Sequence, residues 1–269
     1  MLRGLKTRVN QLLGVIVGLA AIGGPASMTL SAQTITSIVN AASNLPGSVS
    51  PGEIVVIGGS SLGPATLVAA PIAGATALPL ALGGVTVTFN GIAAPIVYVS
   101  ASQVSVQAPL ALAGASSAAV TVSNGSGRSP QFNVPVVPSA PGLFTLDYSG
   151  TGQAVALDFG GINSAQNPVA PGSPIILFAT GEGITAPAGV DGMIQTSAIV
   201  HAPLLPISVQ IAGQPAQVLF SSSAPGSIAG VAEIAVLVPA NLSPATAAPV
   251  TLSIGGVTTT RVTTVAVHR

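Results

Sequence analysis

The sequence contains neither cysteine nor tryptophan, and aromatic residues make up only 3% of its 269 residues. Without cysteine, no disulfide can stabilise the fold and no thiolate can ligate a metal ion. The scarcity of aromatic rings argues against a broad binding surface built on ring stacking. The fold must therefore be held together by its own apolar core, for which the chain is long enough.

Charge is also scarce, since 4% of the residues are charged, against about 25% in ordinary soluble domains. After residue 32 the chain has three arginines, no lysine and six acidic residues, a formal charge of −3. No basic patch remains there, which argues against nucleic-acid binding. Hydrophobic residues make up 49% of the chain, enough apolar surface to offset the entropy of ordering, so the composition also argues against disorder.

The N-terminus has the features of an export signal. Arg3, Lys6 and Arg8 precede an apolar run over residues 12–22, and small residues follow up to residue 32. This order predicts a secretory signal peptide over residues 1–32. The alternative is a membrane anchor, but the run falls short of the roughly 20 residues needed to span a bilayer. We therefore expect an exported protein, secreted or located in the periplasm or at the cell surface, with no membrane span after signal cleavage.

The rest of the chain is a tandem of two similar units. The segment NAASNLPGSVSPGEIVVIGG from Asn40 resembles NSAQNPVAPGSPIILFATGEG from Asn163, and VTVTFNGIAAPIVYVS from Val85 resembles ISVQIAGQPAQVLFSS from Ile207. A repeated unit of this kind predicts two similar domains in series. The two predicted domains are residues 33–138 and 139–269.

Each unit is rich in short strand patterns. Apolar and polar residues alternate over 85–89, 104–107, 207–211 and 250–254, which predicts strands with one face on a core and the other in water. With 32 glycines and 23 prolines, long helices after the signal are disfavoured. The sequence therefore predicts an all-β protein of two tandem Ig-like antiparallel β-sandwiches that follow the signal peptide.

Both units resemble the IPT/TIG group of immunoglobulin-like domains. In the first unit the resemblance rests on Pro51-Gly52 before an apolar strand, VTFNG at 87–91, QVSVQAP at 103–109 and VTVSNG at 120–125. The whole chain after the signal resembles the acidobacterial "Solibacter uncharacterised C-terminal domain" family. The marks of that family are ITSIVNAAS at 35–43, APGLFT at 140–145, NPVAPGSPIILFATGEG at 167–183 and IGGVTTTRVTTVAV at 254–267. This resemblance implies an exported Ig-like module, and it implies no catalytic residues.

One motif points to a different function. Residues 59–63, Gly-Ser-Ser-Leu-Gly, fit the G-x-S-x-G nucleophile elbow of serine hydrolases, with Ser61 as the nucleophile. An elbow needs a following helix, and the proline- and glycine-rich segment after Ser61 does not support one. The second unit has Ala-Thr-Gly-Glu-Gly at the matching turn, and the only histidines are His201 and His268. We therefore interpret the motif as a glycine turn and predict no catalytic residue.

Acidic residues provide weak candidates for ligand contact. Asp147, Asp158 and Asn163 lie close in sequence and have oxygens suited to Ca²⁺, but turn-forming roles in a polar hairpin are favoured because no dense acidic loop is present. Glu182 lies between two glycines, and we expect a solvated loop acid there rather than a residue in a ligand cleft. We predict no metal site and no cofactor.

Two apolar segments, residues 70–84 and 202–207, occupy matching places in the two units. Each either packs on its own domain, which is favoured, or forms a surface for a partner or a second copy. A rival function, sugar binding, needs aromatic rings on one exposed face, for which Tyr148 and Phe159 are the candidates.

These observations favour an exported, non-catalytic structural, adhesive or protein-interaction module. Its candidate partners are other surface proteins, a second copy of the chain or an extracellular polymer, and we predict no nucleic-acid partner. The alternatives are a carbohydrate- or polymer-binding module and, more remotely, a serine esterase that uses Ser61.

Overall fold

The computed structural model describes residues 33–196 and 199–268, and the expected signal peptide lies outside these residues. Within them the chain is built from mainly antiparallel β-sheets, with one parallel strand pair and a single 3-10 turn at Leu110–Leu112. The predicted all-β, Ig-like sandwich class is therefore confirmed. No helix in this part of the chain is long and apolar enough to cross a membrane.

Residues 33–138, here called the N-terminal half, contain eleven strands in two sheets. The first sheet has the order β1-β2-β8-β7-β3, and the second has the order β10-β9-β5-β4 with β11 paired to β9 and β6 paired to β5. The strands are β1 Thr34–Asn40, β2 Ile54–Ser60, β3 Val68–Ala69, β4 Ala81–Leu82, β5 Val85–Phe89, β6 Ile92–Ala93, β7 Ile96–Val99, β8 Gln103–Gln107, β9 Ser117–Asn124, β10 Gly127–Arg128 and β11 Phe132–Pro135.

Residues 139–268, here called the C-terminal half, contain thirteen further strands. Eleven of them form one continuous sheet whose central path is β13-β24-β22-β19-β20-β21-β16-β14-β15, with β12 paired to β16 and β23 paired to β22. The strands are β12 Gly142–Leu143, β13 Gly152–Gln153, β14 Ala156–Asp158, β15 Gly161–Ile162, β16 Pro174–Thr180, β17 Thr185–Ala186, β18 Ala202–Pro203, β19 Ile207–Ile211, β20 Gln214–Ser223, β21 Ala232–Leu237, β22 Ala245–Ile254, β23 Val257–Thr258 and β24 Thr263–Val267.

The long strand β20 is where this sheet folds over into a sandwich. Its first residues, Gln214 to Ala216, pair with β19, and its remainder from Gln217 pairs with β21. The register shifts between Val218 and Phe220, and such a shift lets one strand pass from one layer of a sandwich to the other.

Three apolar layers alternate with the four sheet layers. The core of the N-terminal half includes Val55, Val87 and Val106, and that of the C-terminal half includes Leu177 and Leu252. A third apolar cluster joins the two halves, and its members are Ala42, Ile54, Ala70, Leu78, Val97, Tyr98, Phe144, Val155, Leu157, Phe178, Ala224, Ile228 and Val231. The two halves therefore share one buried interface.

This interface corrects one expectation. In β5 and β19 the alternating pattern has a buried and an exposed face, as predicted. In β8, however, Ser105 and Gln107 are buried along with Val104 and Val106. The prediction that one face of residues 104–107 meets water is wrong, because the C-terminal half covers that face.

Candidate functional site

Hydrogen bonds cross the interface between the two halves. The backbone N–H of Ile54 donates to the Thr180 hydroxyl at 2.9 Å, and that hydroxyl donates to the carbonyl of Gly230 at 2.6 Å. In the same direction, from the N-terminal half to the C-terminal half, the N–H of Leu110 donates to the Asp191 carboxylate at 2.9 Å. Buried groups bonded in this way fix the relative register of two surfaces, because an alternative register would leave them unpaired.

Glu53 lies beneath this interface with no exposed surface. Its carboxylate accepts hydrogen bonds from the Asn40 amide at 2.9 Å and from the backbone N–H of Ser50 at 2.7 Å. Burial raises the pKa of Glu53 to about 8, although these donors act in the opposite sense. The Asn40 amide also donates to the carbonyl of Ala140 at 3.0 Å, and it thereby connects Glu53 to the segment that joins the halves.

Glu182 is the second buried acid, and it corrects the expectation of a solvated loop residue. Its side chain is 3% exposed, and the glycine turn that carries it lies against Pro138 and Ala140 of the segment that joins the halves. Burial raises the pKa of Glu182 to about 7, and its Oε2 atom has no hydrogen-bond partner. The charge of Glu182 in turn contributes to the raised pKa of Glu53. Burial is thus the main cause of the raised pKa of both carboxyl groups, and the charge of Glu182 is a smaller cause for Glu53.

The glycines of the ATGEG turn allow the connecting segment to pass very close. A Cβ atom on Gly181 would lie 1.9 Å from the carbonyl oxygen of Ala140, and one on Gly183 would lie 2.2 Å from that of Pro138. The N–H of Ala140 also donates to the carbonyl of Gly181 at 2.9 Å. The glycine turn shared by the two repeats therefore has a packing role in the second copy.

A cleft of about 290 Å³, here called the joint cleft, opens where residues 137–143 run between the halves. One wall comes from residues 43–48 of the N-terminal half and the other from residues 257–261 of the C-terminal half. Its lining includes seven serine and threonine residues and Arg261. Among the described residues, the lining includes no acidic or aromatic residue.

Arg261 is the functional candidate that the sequence analysis did not single out. It lies within the family mark IGGVTTTRVTTVAV, and its Nε donates to the carbonyl of Ser43 at 3.2 Å across the cleft. Among the described residues no acidic side chain pairs with it. Its rarity could have identified it from the sequence, because it is one of three cationic side chains after residue 32.

Ser61 lies at a turn. Its φ of 54° is left-handed, and its carbonyl accepts from the Asn124 amide at 2.8 Å. The chain continues into Leu62, which is fully buried, and no helix follows. His201 lies in the other half, where its Nδ1 contacts the carbonyl of Pro187 at 3.0 Å. The structure therefore lacks the strand-turn-helix arrangement that a nucleophile elbow requires.

The candidate calcium ligands make separate contacts. Asp147 accepts from the N–H and hydroxyl of Ser149, whereas Asp158 accepts from Gly160 within its own hairpin. Asn163 is buried and bonds both backbone groups of Ala266 at 2.8 Å. In the described part of the chain, no three His, Cys, Asp or Glu side chains are grouped closely enough to hold a metal ion.

The apolar segment 70–84 packs partly on the other half rather than only on its own. Ala70 and Leu78 belong to the interface cluster, and the N–H of Leu78 donates to the carbonyl of Gly192 at 2.8 Å. In the segment 202–207, Leu205 packs on the core of its own half while Leu204 is exposed.

The two candidate aromatic residues differ in their surroundings. Phe159 is 77% exposed at the tip of the β14–β15 hairpin. Tyr148 is half-buried, and its carbonyl accepts from the Asn44 amide of the other half at 2.7 Å.

Comparisons with known proteins agree with the immunoglobulin-like character of the first half. Residues 34–135 match the family model of the IPT/TIG domain. A comparison with curated protein sequences gives no match.

The solved structures that match this chain are distant. The extracellular region of plexin A4 is 12% identical over 92% of this chain and 20% of that chain, with a TM-score of 0.30. SGBP-B of the Bacteroides ovatus mixed-linkage glucan utilization locus, solved with a mixed-linkage heptasaccharide, is 15% identical over 82% of this chain and 44% of that chain, with a TM-score of 0.31. Domains 5–6 of the S-layer protein SbsC are 15% identical over 87% of this chain and 96% of that chain, with a TM-score of 0.25. At these scores the likenesses do not indicate a shared function.

Proposed function

We propose that this protein is an exported, non-catalytic module in which two Ig-like units, residues 33–138 and 139–269, act as one rigid body for structural or adhesive interactions. The observation that carries the proposal is the buried interface. Thirteen apolar residues from both halves are buried in it, and the Asn40 and Thr180 side chains bond across it. Such packing suits a spacer or a display scaffold, and sandwiches of this type are common in cell-surface domains.

We propose further that the whole chain after residue 32 belongs to the "Solibacter uncharacterised C-terminal domain" family. The family marks APGLFT and ATGEG support this assignment, because Ala140 and Gly181 from these two marks meet in one backbone contact. The same contact fixes the connection between the units.

Export is tested by expressing the full chain in a Gram-negative host and measuring the mass of the protein in each cell fraction. We expect a product outside the cytoplasm that lacks about the first 32 residues. The matched control is Leu19→Arg, which interrupts the apolar run and should retain the uncleaved chain inside. Full-length protein in the cytoplasm of the unaltered strain would contradict export.

Rigidity and self-association are tested by small-angle scattering and sedimentation velocity on the exported protein. One rigid body predicts a scattering profile that fits a single arrangement of the halves. Concentration-dependent assembly would favour a scaffold built from copies of the chain, and a stable monomer would favour a display role. A profile that requires several arrangements would overturn the rigid-body proposal.

A second candidate function is binding of an extracellular polymer. The joint cleft favours it, because the cleft combines hydroxyl groups with a cation that has no acidic partner among the described residues. Ligand contacts of this kind usually lie on loops that a rigid scaffold positions.

A further inference from the structure

The polar groups of the joint cleft fall into two sets. The hydroxyls of Ser139, Thr259 and Thr263 are already bonded within the protein, since each makes a hydrogen bond to the backbone of β22 at 2.8 to 3.3 Å. The hydroxyls of Ser48 and Thr260 make no hydrogen bond among the described residues and remain available. The bonded hydroxyls hold the wall of the cleft in place, and the hydroxyls of Ser48 and Thr260 can contact a ligand.

The guanidinium of Arg261 is similarly divided. Its Nε holds the carbonyl of Ser43 at 3.2 Å, so the side chain spans the cleft from the C-terminal half to the N-terminal half. Its two terminal nitrogens make no hydrogen bond among the described residues. They form a planar pair of donors held by a fixed stem, which is the arrangement that binds a carboxylate through two parallel bonds.

The electrostatic surroundings do not cancel this charge. No acidic side chain lines the cleft in the described part of the chain. Glu53 lies behind Asn40, and its pKa of about 8 leaves it mainly protonated at neutral pH. The cleft is therefore a cationic spot on a chain whose formal charge after residue 32 is negative.

We infer that the joint cleft binds an acidic sugar residue of an extracellular polysaccharide, with its carboxylate on the terminal nitrogens of Arg261 and its hydroxyls on Ser48 and Thr260. This inference rests on the polymer-binding candidate and names the ligand class and the residues that hold it. Sugar hydroxyls both donate and accept hydrogen bonds, as the two side-chain hydroxyls do.

The size and composition of the cleft agree with this ligand class. Its volume of about 290 Å³ lies just below the roughly 300–1,000 Å³ typical of ligand pockets, which suits one sugar ring of a longer chain. A single guanidinium matches one carboxylate, whereas phosphate sites usually combine several cationic or backbone donors. No aromatic ring lines the described cleft, so polar contacts rather than ring stacking would give the affinity.

The test is isothermal titration of the exported protein with the trimers of D-galacturonate, D-glucuronate and D-mannuronate, and with neutral galactotriose as the comparison sugar. We expect at least one acidic trimer to bind 10-fold or more tightly than galactotriose. Arg261→Gln should weaken that binding at least 10-fold, and Arg261→Lys should weaken it less. The matched control Arg128→Gln removes the same charge from the far sheet of the N-terminal half and should leave binding unchanged.

Because Arg261 also holds Ser43, thermal unfolding of each variant is measured in parallel. If Arg261→Gln is unfolded, Ser48→Ala and Thr260→Val serve in its place, since neither hydroxyl bonds within the described structure, and both should weaken binding several-fold.

Failure of all three acidic trimers to bind at millimolar concentration would overturn the inference, as would equal binding of galactotriose. Inorganic phosphate that competes as well as the acidic trimer would indicate a general anion site and would also overturn it. None of these results bears on export or rigidity, which the fractionation and scattering experiments decide.

Discussion

The N–H of Ile54 donates a 2.9 Å hydrogen bond to the side-chain hydroxyl of Thr180, 126 residues further along the chain. Thr180 is fully buried, and its hydroxyl in turn donates a hydrogen bond to the carbonyl of Gly230. One side chain thus satisfies a backbone donor of one half and a backbone acceptor of the other. We call these two hydrogen bonds the Thr180 relay. Because both depend on one hydroxyl oxygen, its removal should weaken the interface.

Thr180→Val should destabilise the protein, because it keeps the shape of the side chain and leaves a buried donor and acceptor unpaired. We expect a loss of about 1–3 kcal/mol in the free energy of unfolding, measured by urea denaturation. The control is Thr86→Val on an exposed face of β5, which should change stability by about 0.5 kcal/mol or less. Equal effects at the two sites would show that the relay does not stabilise the interface.

Stability should fall as the pH rises from about 5 to 8. Glu182 and Glu53 have pKa values raised from 4.5 to about 7 and about 8 in the folded protein. A raised carboxyl pKa gives stability that is fully present below the unfolded value and is lost as the pH rises through the folded value. Glu182→Gln should remove part of this decline, on the order of a few kcal/mol, in urea denaturation across that range.

The matched control for this pH dependence is Thr180→Val, which alters the same interface without removing a titratable group. It should lower stability at every pH and keep the wild-type slope. A wild-type protein whose stability is flat between pH 5 and 8 would contradict the raised pKa values of Glu53 and Glu182.

Gly230→Ala should be far more harmful than Gly213→Ala, although both glycines have positive φ, at 93° and 75°. A Cβ on Gly230 would lie 1.9 Å from the carbonyl oxygen of Gly52, whereas one on Gly213 meets nothing within 4 Å. The two variants share the cost of a left-handed alanine, so their difference reports the contact between the halves. We expect Gly230→Ala to cost about 1–3 kcal/mol more in thermal or urea unfolding. No difference between them would mean that the halves separate easily at this point.

Ser61→Gly should leave stability unchanged or raise it by up to about 1 kcal/mol, because glycine adopts the left-handed turn without strain. Asn90→Gly is the control, since Asn90 has a similar φ of 51°. Its side chain bonds the backbone of Ala119 and Ser117, so that variant should be destabilised.

Hydrolysis of p-nitrophenyl acetate by the Ser61→Gly variant should equal that of the wild type. A loss of hydrolysis would restore the esterase hypothesis.

The repeat shows where sequence comparison succeeds and where it stops. The matched segments at Val85 and Ile207 both begin strands with a buried and an exposed face. The matched asparagines differ, since Asn40 bonds Glu53 and the connecting segment, whereas Asn163 bonds the backbone of β24. A repeated residue thus keeps its place in the chain while its partners depend on the neighbouring half.

The sequence by itself determined the all-β class and the turns at its glycines, because alternation and turn chemistry act over a few residues. Its internal repeat also predicts two similar units. It also indicated that residue 61 lies in a turn. Only the tertiary structure decided that Glu182 is buried, that the polar face of β8 is covered and that Arg261 faces a cleft beside Ser43. These features depend on contacts between residues more than 80 positions apart. Local sequence patterns do not encode such contacts, because the same alternating strand can face water or another sheet.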